Sequence, residues 1–175
     1  MIPKRLSRRA VYESQWVSLY LDRVAYPDGS ILDAHHLLHF EHPSVGVVME
    51  NETGEILLIR CGRYVTQTEG WEIPAGWVEA GEPCLAAAGR EALEETGYQT
   101  GELSLFYTYH PSNGISDQVF HLFRGKAQKK PGTPDSVEVS EVRWFSKREI
   151  RKMIKNREIH CGLSLTALLL LLLPD

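Results

Sequence analysis

The chain has 175 residues, 43% hydrophobic and 24% charged, with 19 Lys and Arg against 23 Asp and Glu for a formal net charge of -4. That length fits one domain with a sizeable core, because a chain of about 150 residues buries about two-thirds of its unfolded surface. The charge balance excludes a broad basic field, so neither a nucleic-acid nor a membrane partner is expected.

The basic start, through Arg9, is followed by no apolar run of the kind a secretory signal needs. Two alternating segments, 17–26 and 31–40, flank Pro27-Asp28-Gly29-Ser30 and predict a hairpin, with Gly29 supplying positive φ. A second hairpin is expected from the β-branched runs 45–49 and 56–60 around Asn51-Glu52-Thr53-Gly54, with Pro43 as the junction. Residues 71–83, with Pro74, Gly76, Gly81 and Pro83, read as a compact loop. The pattern turns helical from Cys84 to Thr96, with Gly97 as C-cap. Strands are expected at 102–109, 119–127 and 139–145, with a turn-rich loop at 110–117 and a polar loop at 129–134. Ser146 and Glu149 form a capping box for a helix to about Lys155. A last helix runs from about Leu163 to Leu172. Its six leucines, 168–173, fall far short of the about 20 apolar residues of a membrane span. The order of elements suggests a mixed sheet between helices. Cys61, Cys84 and Cys161, odd in number and without a C-x-x-C pair, read as reduced thiols in a cytoplasmic protein.

On the 84–96 helix, with Glu91 at zero degrees, Glu94 falls at about -60° and Glu95 at about +40°. Leu85, Ala86, Ala92, Leu93 and Thr96 lie opposite and are expected to pack on the sheet. Three carboxylates on one helix face repel by a few tenths of a kcal/mol per pair, so the bland alternative is a solvated acidic face. The sharper one is a site for a hard divalent cation, whose charge removes the repulsion. The loop before the helix brings backbone groups to its N-terminus, which favours an anion such as phosphate. His35, His36, His39 and His42 suggest zinc, but strand alternation parts adjacent histidines and no cysteine joins them.

The run Gly76-x5-Glu82-x7-Arg90-Glu91-Ala92-Leu93-Glu94-Glu95-Thr96-Gly97-Tyr98 resembles the Nudix box, G-x5-E-x7-R-E-U-x-E-E-x-G-U with U a bulky aliphatic, and matches all seven of its fixed positions. Ala92 and Tyr98 stand where larger aliphatic residues are usual. The chain is also similar to the ADP-ribose pyrophosphatase-like group in its N-terminal strands, its Pro74-Ala75-Gly76 turn, its proline- and glycine-bearing loop after the box and its Glu158-Ile159 segment before an Ala-Leu-rich helix.

The resemblance implies an α/β fold: a Nudix α/β/α sandwich with a mixed β-sheet at 44–175, preceded by an N-terminal antiparallel strand segment at 1–43 for dimerisation and the base pocket. It implies Mg2+ or Mn2+, two or more ions per site, on Glu91, Glu94, Glu95 and the Ala75 carbonyl, with catalysis assigned to Glu94, Glu95, Arg90 and Asp117 and Glu82 in an outer position. Gln118 stands where a glutamate base is common and an amide cannot take a proton from water, so Asp117 is the expected substitute, with Glu94 or His110 next. A role for Asp117 in shaping its turn is the alternative. Arg63, then Arg60, would bind phosphate or ribose, with Gly76 also in the substrate-binding set. Trp16 and Tyr12 either stack on the base or pack in the core. The implied substrate is a small nucleoside diphosphate derivative, with ADP-ribose cleaved to AMP and ribose 5-phosphate, and the implied assembly is a homodimer. Other nucleotide sugars, dinucleoside polyphosphates, nucleoside triphosphates and a non-catalytic nucleotide sensor stay open.

Overall fold

In the computed structural model, residues 1–128, 132–134 and 137–174 are described. They divide into two compact units, one of residues 1–43 with 110–119, the other of residues 44–109 with the chain from Phe120 onward.

The first unit is an antiparallel sheet in the order β1 (Lys4–Tyr12), β2 (Ser18–Ala25), β3 (Ile31–His39). The β2–β3 hairpin turns where expected. Gly29 has φ +88°, and Asp28 accepts hydrogen bonds from the Ser30 amide and hydroxyl at 2.9 and 2.7 Å. Strand β1 is exposed along its whole length, and its interleaved Lys and Arg hide it in the sequence. It is held by its ladder to β2 and by Arg8, whose guanidinium donates two 2.7 Å bonds to the buried Asp22 and lies 4.5 Å over the Tyr20 ring. Such a fork combines two charge-assisted bonds with fixed geometry. The 110–119 loop docks on β3: Leu38 donates to the Ile115 carbonyl at 2.8 Å, and the Phe40 amide donates to Asp117 at 3.0 Å.

The second unit is built on a seven-stranded mixed sheet. Its main path is β10 (Val139–Phe145), β5 (Ile56–Arg63), β4 (Ser44–Glu50), β9 (Phe120–Ala127), β8 (Thr100–Tyr109). Strand β4 runs parallel to β9 over its full length. The expected second hairpin is corrected: β4 and β5 pair only at Glu50 and Ile56, beside their turn. Beyond it they diverge, and β6 (Thr68–Glu72) pairs with β5 while β7 (Ala75–Trp77) pairs with β4. The segment read as a loop thus contains the end of one strand and the whole of another. Backbone groups in the gap between β4 and β5 would otherwise be buried without partners, and the wedge satisfies them.

Strand alternation gives the sheet two apolar faces. Val45, Val47, Met49, Leu57 and Phe123 pack with Ala87, Ala88 and Ala92 of α1 (Cys84–Thr96). Val48, Leu58, Ile73 and Leu122 pack on the other side with α2 (Lys147–Lys155) and α3 (Gly162–Leu171) through Ile150, Met153, Leu163 and Leu168. This is the expected α/β/α layering. Gly46 lies where α3 presses on β4, and a Cβ there would sit 2.6 Å from Leu163. The Ser164 hydroxyl accepts the Ile73 amide at 3.0 Å, tying α3 to the wedge. Helix α2 carries the full Ser146–Glu149 capping box, and α1 ends at Gly97 with φ 73°. The polar loop expected at 129–134 falls partly outside the described residues, and 132–134 form no regular element. Among the described residues no helix is long and apolar enough to cross a membrane.

Candidate functional site

Helix α1 buries Ala92 and Thr96 of the face its sequence suggested, but its inward side is rotated away from Leu85, Ala86 and Leu93. The inward residues are Ala87, Ala88, Ala92, Glu95 and Thr96, whereas Leu85 and Leu93 are 51% and 37% exposed. Small alanines bring the helix close to β4 and β7, and that approach turns the glutamate side inward. Glu95 retains only 9% exposure, Glu91 is largely enclosed, and Glu94 is half exposed.

The buried carboxylates are accommodated by specific donors. Glu95 accepts the Ala75 amide at 2.8 Å, which anchors α1 to the edge of β7. Gly76 leaves room for Glu91, one helical turn before Glu95: a Cβ on Gly76 would lie 2.1 to 2.3 Å from the carboxylate atoms of Glu91. Arg90 joins the rest. It donates to both oxygens of Glu82 at 3.1 and 2.9 Å, to Glu91 at 2.8 Å, to Glu94 at 3.3 Å and to the Trp77 carbonyl at 2.9 Å. Glu82 in turn accepts the Glu79 amide at 3.1 Å, which closes the loop before the helix.

Burial pushes the Glu95 carboxyl up to about 7, against the pull of the Ala75 amide and with a further push from Glu91. Burial also raises Glu91, although Arg90 opposes it. Arg90 holds the Glu82 carboxyl below its usual range, and Glu82 foremost holds the Arg90 guanidinium more firmly protonated. The cluster therefore holds carboxylates that are costly to ionise, with Glu91 packed against the bare backbone of Gly76. Among the described residues no three His, Cys, Asp or Glu side chains already converge as a metal cage. Arg90 engages Glu82, Glu91 and Glu94 in its place. The donor chemistry still fits a hard divalent cation: the oxygens are carboxylates, they are partly desolvated, and Gly76 keeps Glu91 clear of a Cβ.

Of the residues assigned to substrate, Arg63 lines a cavity of about 580 Å3 shared with Glu72, Glu138, His160 and Cys161. Its guanidinium grips the buried Glu72 at 3.0 and 2.7 Å and Glu138 at 2.9 Å. Glu72 and Glu138 escaped the sequence reading. A glutamate between Trp71 and Ile73 in an otherwise apolar run was the available sign of a buried carboxylate needing a cation. Arg60 pairs instead with Glu69 at 3.0 Å. Tyr12 and Trp16 belong to the first unit and are 58% and 64% exposed, so the core alternative for them is set aside. Asp117 also belongs to that unit. One of its oxygens accepts the Phe40 amide and the other meets His39 Nδ1 at 2.5 Å, while His110 Nδ1 lies 3.0 Å from the Gln118 carbonyl. His39 also lies 3.5 Å from Glu41 and its imidazole is pushed up, chiefly by Asp117.

Comparison with known proteins places the chain in a family. The chain is 29% identical over 149 residues to a CMP-5'-(N-acetyl-N-hydroxy-3-aminopropyl)phosphonate hydrolase of Streptomyces rubellomurinus, covering 85% of this chain and 71% of that protein. It is 26% identical over 161 residues to an ADP-ribose pyrophosphatase of Bacillus subtilis, covering 90% and 85%. The crystal structure of an ADP compounds hydrolase superposes with a TM-score of 0.85 at 16% identity, covering 98% of this chain and 92% of the other, which supports the fold. The model of the NUDIX domain matches residues 40–161, which takes in the whole glutamate cluster and the wedge that frames it. The chain therefore belongs to the NUDIX domain family and is a Nudix hydrolase.

Proposed function

We propose that this protein hydrolyses the pyrophosphate bond of a nucleoside diphosphate derivative, with ADP-ribose as the leading substrate and AMP and ribose 5-phosphate as products. The observation that carries the reading is the pair of desolvated carboxylates, Glu91 and Glu95, set against Gly76 and Ala75 and bridged outward by Arg90. Two or more Mg2+ or Mn2+ ions, held by Glu91, Glu94, Glu95 and the Ala75 carbonyl, would neutralise substrate charge and make water more acidic.

The protein's own groups supply the rest. Arg90 fixes the rotamers of Glu91 and Glu94 through one guanidinium, and Glu82 fixes Arg90. Arg63, held by Glu72, would present its charge to a phosphate or the ribose, with Arg60 and the glycine backbone at Gly76 as further contacts and Trp16 or Tyr12 stacking on the base. Asp117 is assigned as proton acceptor, with Glu94 and His110 as rivals. Asp117→Asn should lower kcat by at least about a hundredfold without changing the Mg2+ concentration that gives half-maximal activity, whereas Glu94→Gln, at a metal-holding residue, should change it; wild-type kcat in Asp117→Asn would pass the role to Glu94 or His110. The working assembly is a homodimer in the cytoplasm, a setting in keeping with three free cysteines.

The test is a substrate panel with Mg2+ and with Mn2+, products identified by mass, covering ADP-ribose, other nucleotide sugars, dinucleoside polyphosphates, nucleoside triphosphates and a CMP-linked phosphonate. The last is included because of the relative from Streptomyces rubellomurinus. ADP-ribose should be cleaved with the highest kcat/KM, and Glu95→Gln should abolish cleavage while the fold stays intact. Full activity in that variant would sink the assignment, and no cleavage of any compound would favour a nucleotide sensor.

A further inference from the structure

The sheet face opposite α1 carries a second cavity, of about 730 Å3, within the size range of small-molecule sites. Strand register explains its lining. Val48 faces the α2 and α3 layer, and alternation places Glu50 on the same face. Their register partners on the parallel neighbour β9 are Arg124 and Lys126. Helix α2 adds Lys147 and Arg151 from one side, and the end of α3 with Leu172, Leu173 and Pro174 forms an apolar wall.

Among the described lining residues, Arg124, Lys126, Lys147 and Arg151 stand against Glu50 and Glu102, an excess of two positive charges. Glu50 is already shared between Lys126 at 3.1 Å and Lys147 at 3.3 Å. Burial alone would raise its carboxyl, and the two ammonium groups outweigh that and hold it down. Arg124 and Arg151 have no carboxylate within ion-pair reach among the described residues. Two guanidinium groups beside a leucine wall suit an oxyanion joined to an apolar group, because a guanidinium binds phosphate oxygens in pairs.

We propose that this cavity is a second ligand site, separated by the sheet from the glutamate cluster, that takes a small organic phosphate. The phosphate sits on Arg124 and Arg151 and the organic part lies along Leu172, Leu173 and Pro174.

The experiment titrates the full chain, in buffer containing Mg2+, with phenyl phosphate and separately with inorganic phosphate, following backbone amides by NMR. Phenyl phosphate should give saturable shifts at Gly125 and Leu172 and bind at least about threefold tighter than inorganic phosphate. The double variant Arg124→Ala/Arg151→Ala should lose about tenfold or more in affinity, as expected for charge-assisted bonds. Its hydrolysis and melting temperature should stay at wild-type values. Glu50→Gln, which releases Lys126 and Lys147, should tighten binding several-fold, a gain that misfolding does not produce. Shifts confined to Ala75 and Gly76, undiminished binding in the double variant, or weaker binding in Glu50→Gln would each overturn the site. Equal affinity for the two probes would overturn the organic part of the assignment.

Discussion

Glu95 contributes to the pH response of the cation-free protein, together with Glu91 and His39, whose values are also raised. Its folded value of about 7 lies above the ordinary 4.5, so between those values the native state keeps a proton that the unfolded chain has released. Stability therefore falls as pH rises through that window. Two to three units correspond to about 3 kcal/mol. Denaturant unfolding in EDTA should find the wild type more stable at pH 5 than at pH 8. Glu95→Gln, which keeps an oxygen acceptor for the Ala75 amide, should recover about 2–3 kcal/mol at pH 8. Equal stability of both proteins at both pH values would falsify the assigned burial cost. Cys61 shows the same physics without a function: burial pushes its thiol up to about 12, which leaves it unreactive.

At the scale of elements, the contact of β7 with α1 decides whether the glutamates are placed correctly. Gly76→Ala would drive a methyl into the Glu91 carboxylate, the end of a flexible side chain that can swing aside. The variant should lose about 1 kcal/mol or less in thermal unfolding, yet at least about tenfold in kcat/KM, because small misplacements are costly for chemistry. Loss of stability without loss of activity would refute the cradle. Most of this architecture was legible. The 84–96 helix and its glycine cap, the β2–β3 hairpin and the capping box of α2 all rest on local chemistry that residues announce within a few positions. The wedge of β6 and β7 was not, because its glycines and proline read as turn formers and its partners are supplied only by the splayed β4 and β5. The inward face of α1 was read correctly at Ala92 and Thr96 and missed at Ala87, Ala88 and Glu95 for a related reason. Leu85 and Leu93 outweigh three alanines on a hydrophobicity count, but close packing on the sheet selects the alanines. At the site, box spacing brought Glu82, Arg90, Glu91 and Glu95 into view, whereas the grip on Arg63 depends on the β5–β6 pairing for Glu72 and on a partner 75 positions away for Glu138.

At the scale of the whole molecule, residues 110–119 sit in one compact unit with residues 1–43 although they follow the second unit's β8 in sequence. Deleting residues 1–43 removes Leu38, His39 and Phe40, which hold that loop through its Ile115 and Asp117. The truncated protein should be monomeric by light scattering and weakly active, with hydrogen exchange at 112–117 accelerated. An unchanged dimer would refute the assembly role, and unchanged exchange would refute the loop's dependence. The parallel union of β4 with β9 carries a consequence for how the protein comes into being. Ser44 must find Phe120, so the central strand of the sheet waits for most of the chain before its ladder closes. Such long-range parallel pairing is slow to form, since loop closure comes before its reward. A nascent chain ending before Phe120 can contain the complete glutamate motif and still leave one edge of β4 bare, which makes that interval the one in which this protein is most exposed to aggregation.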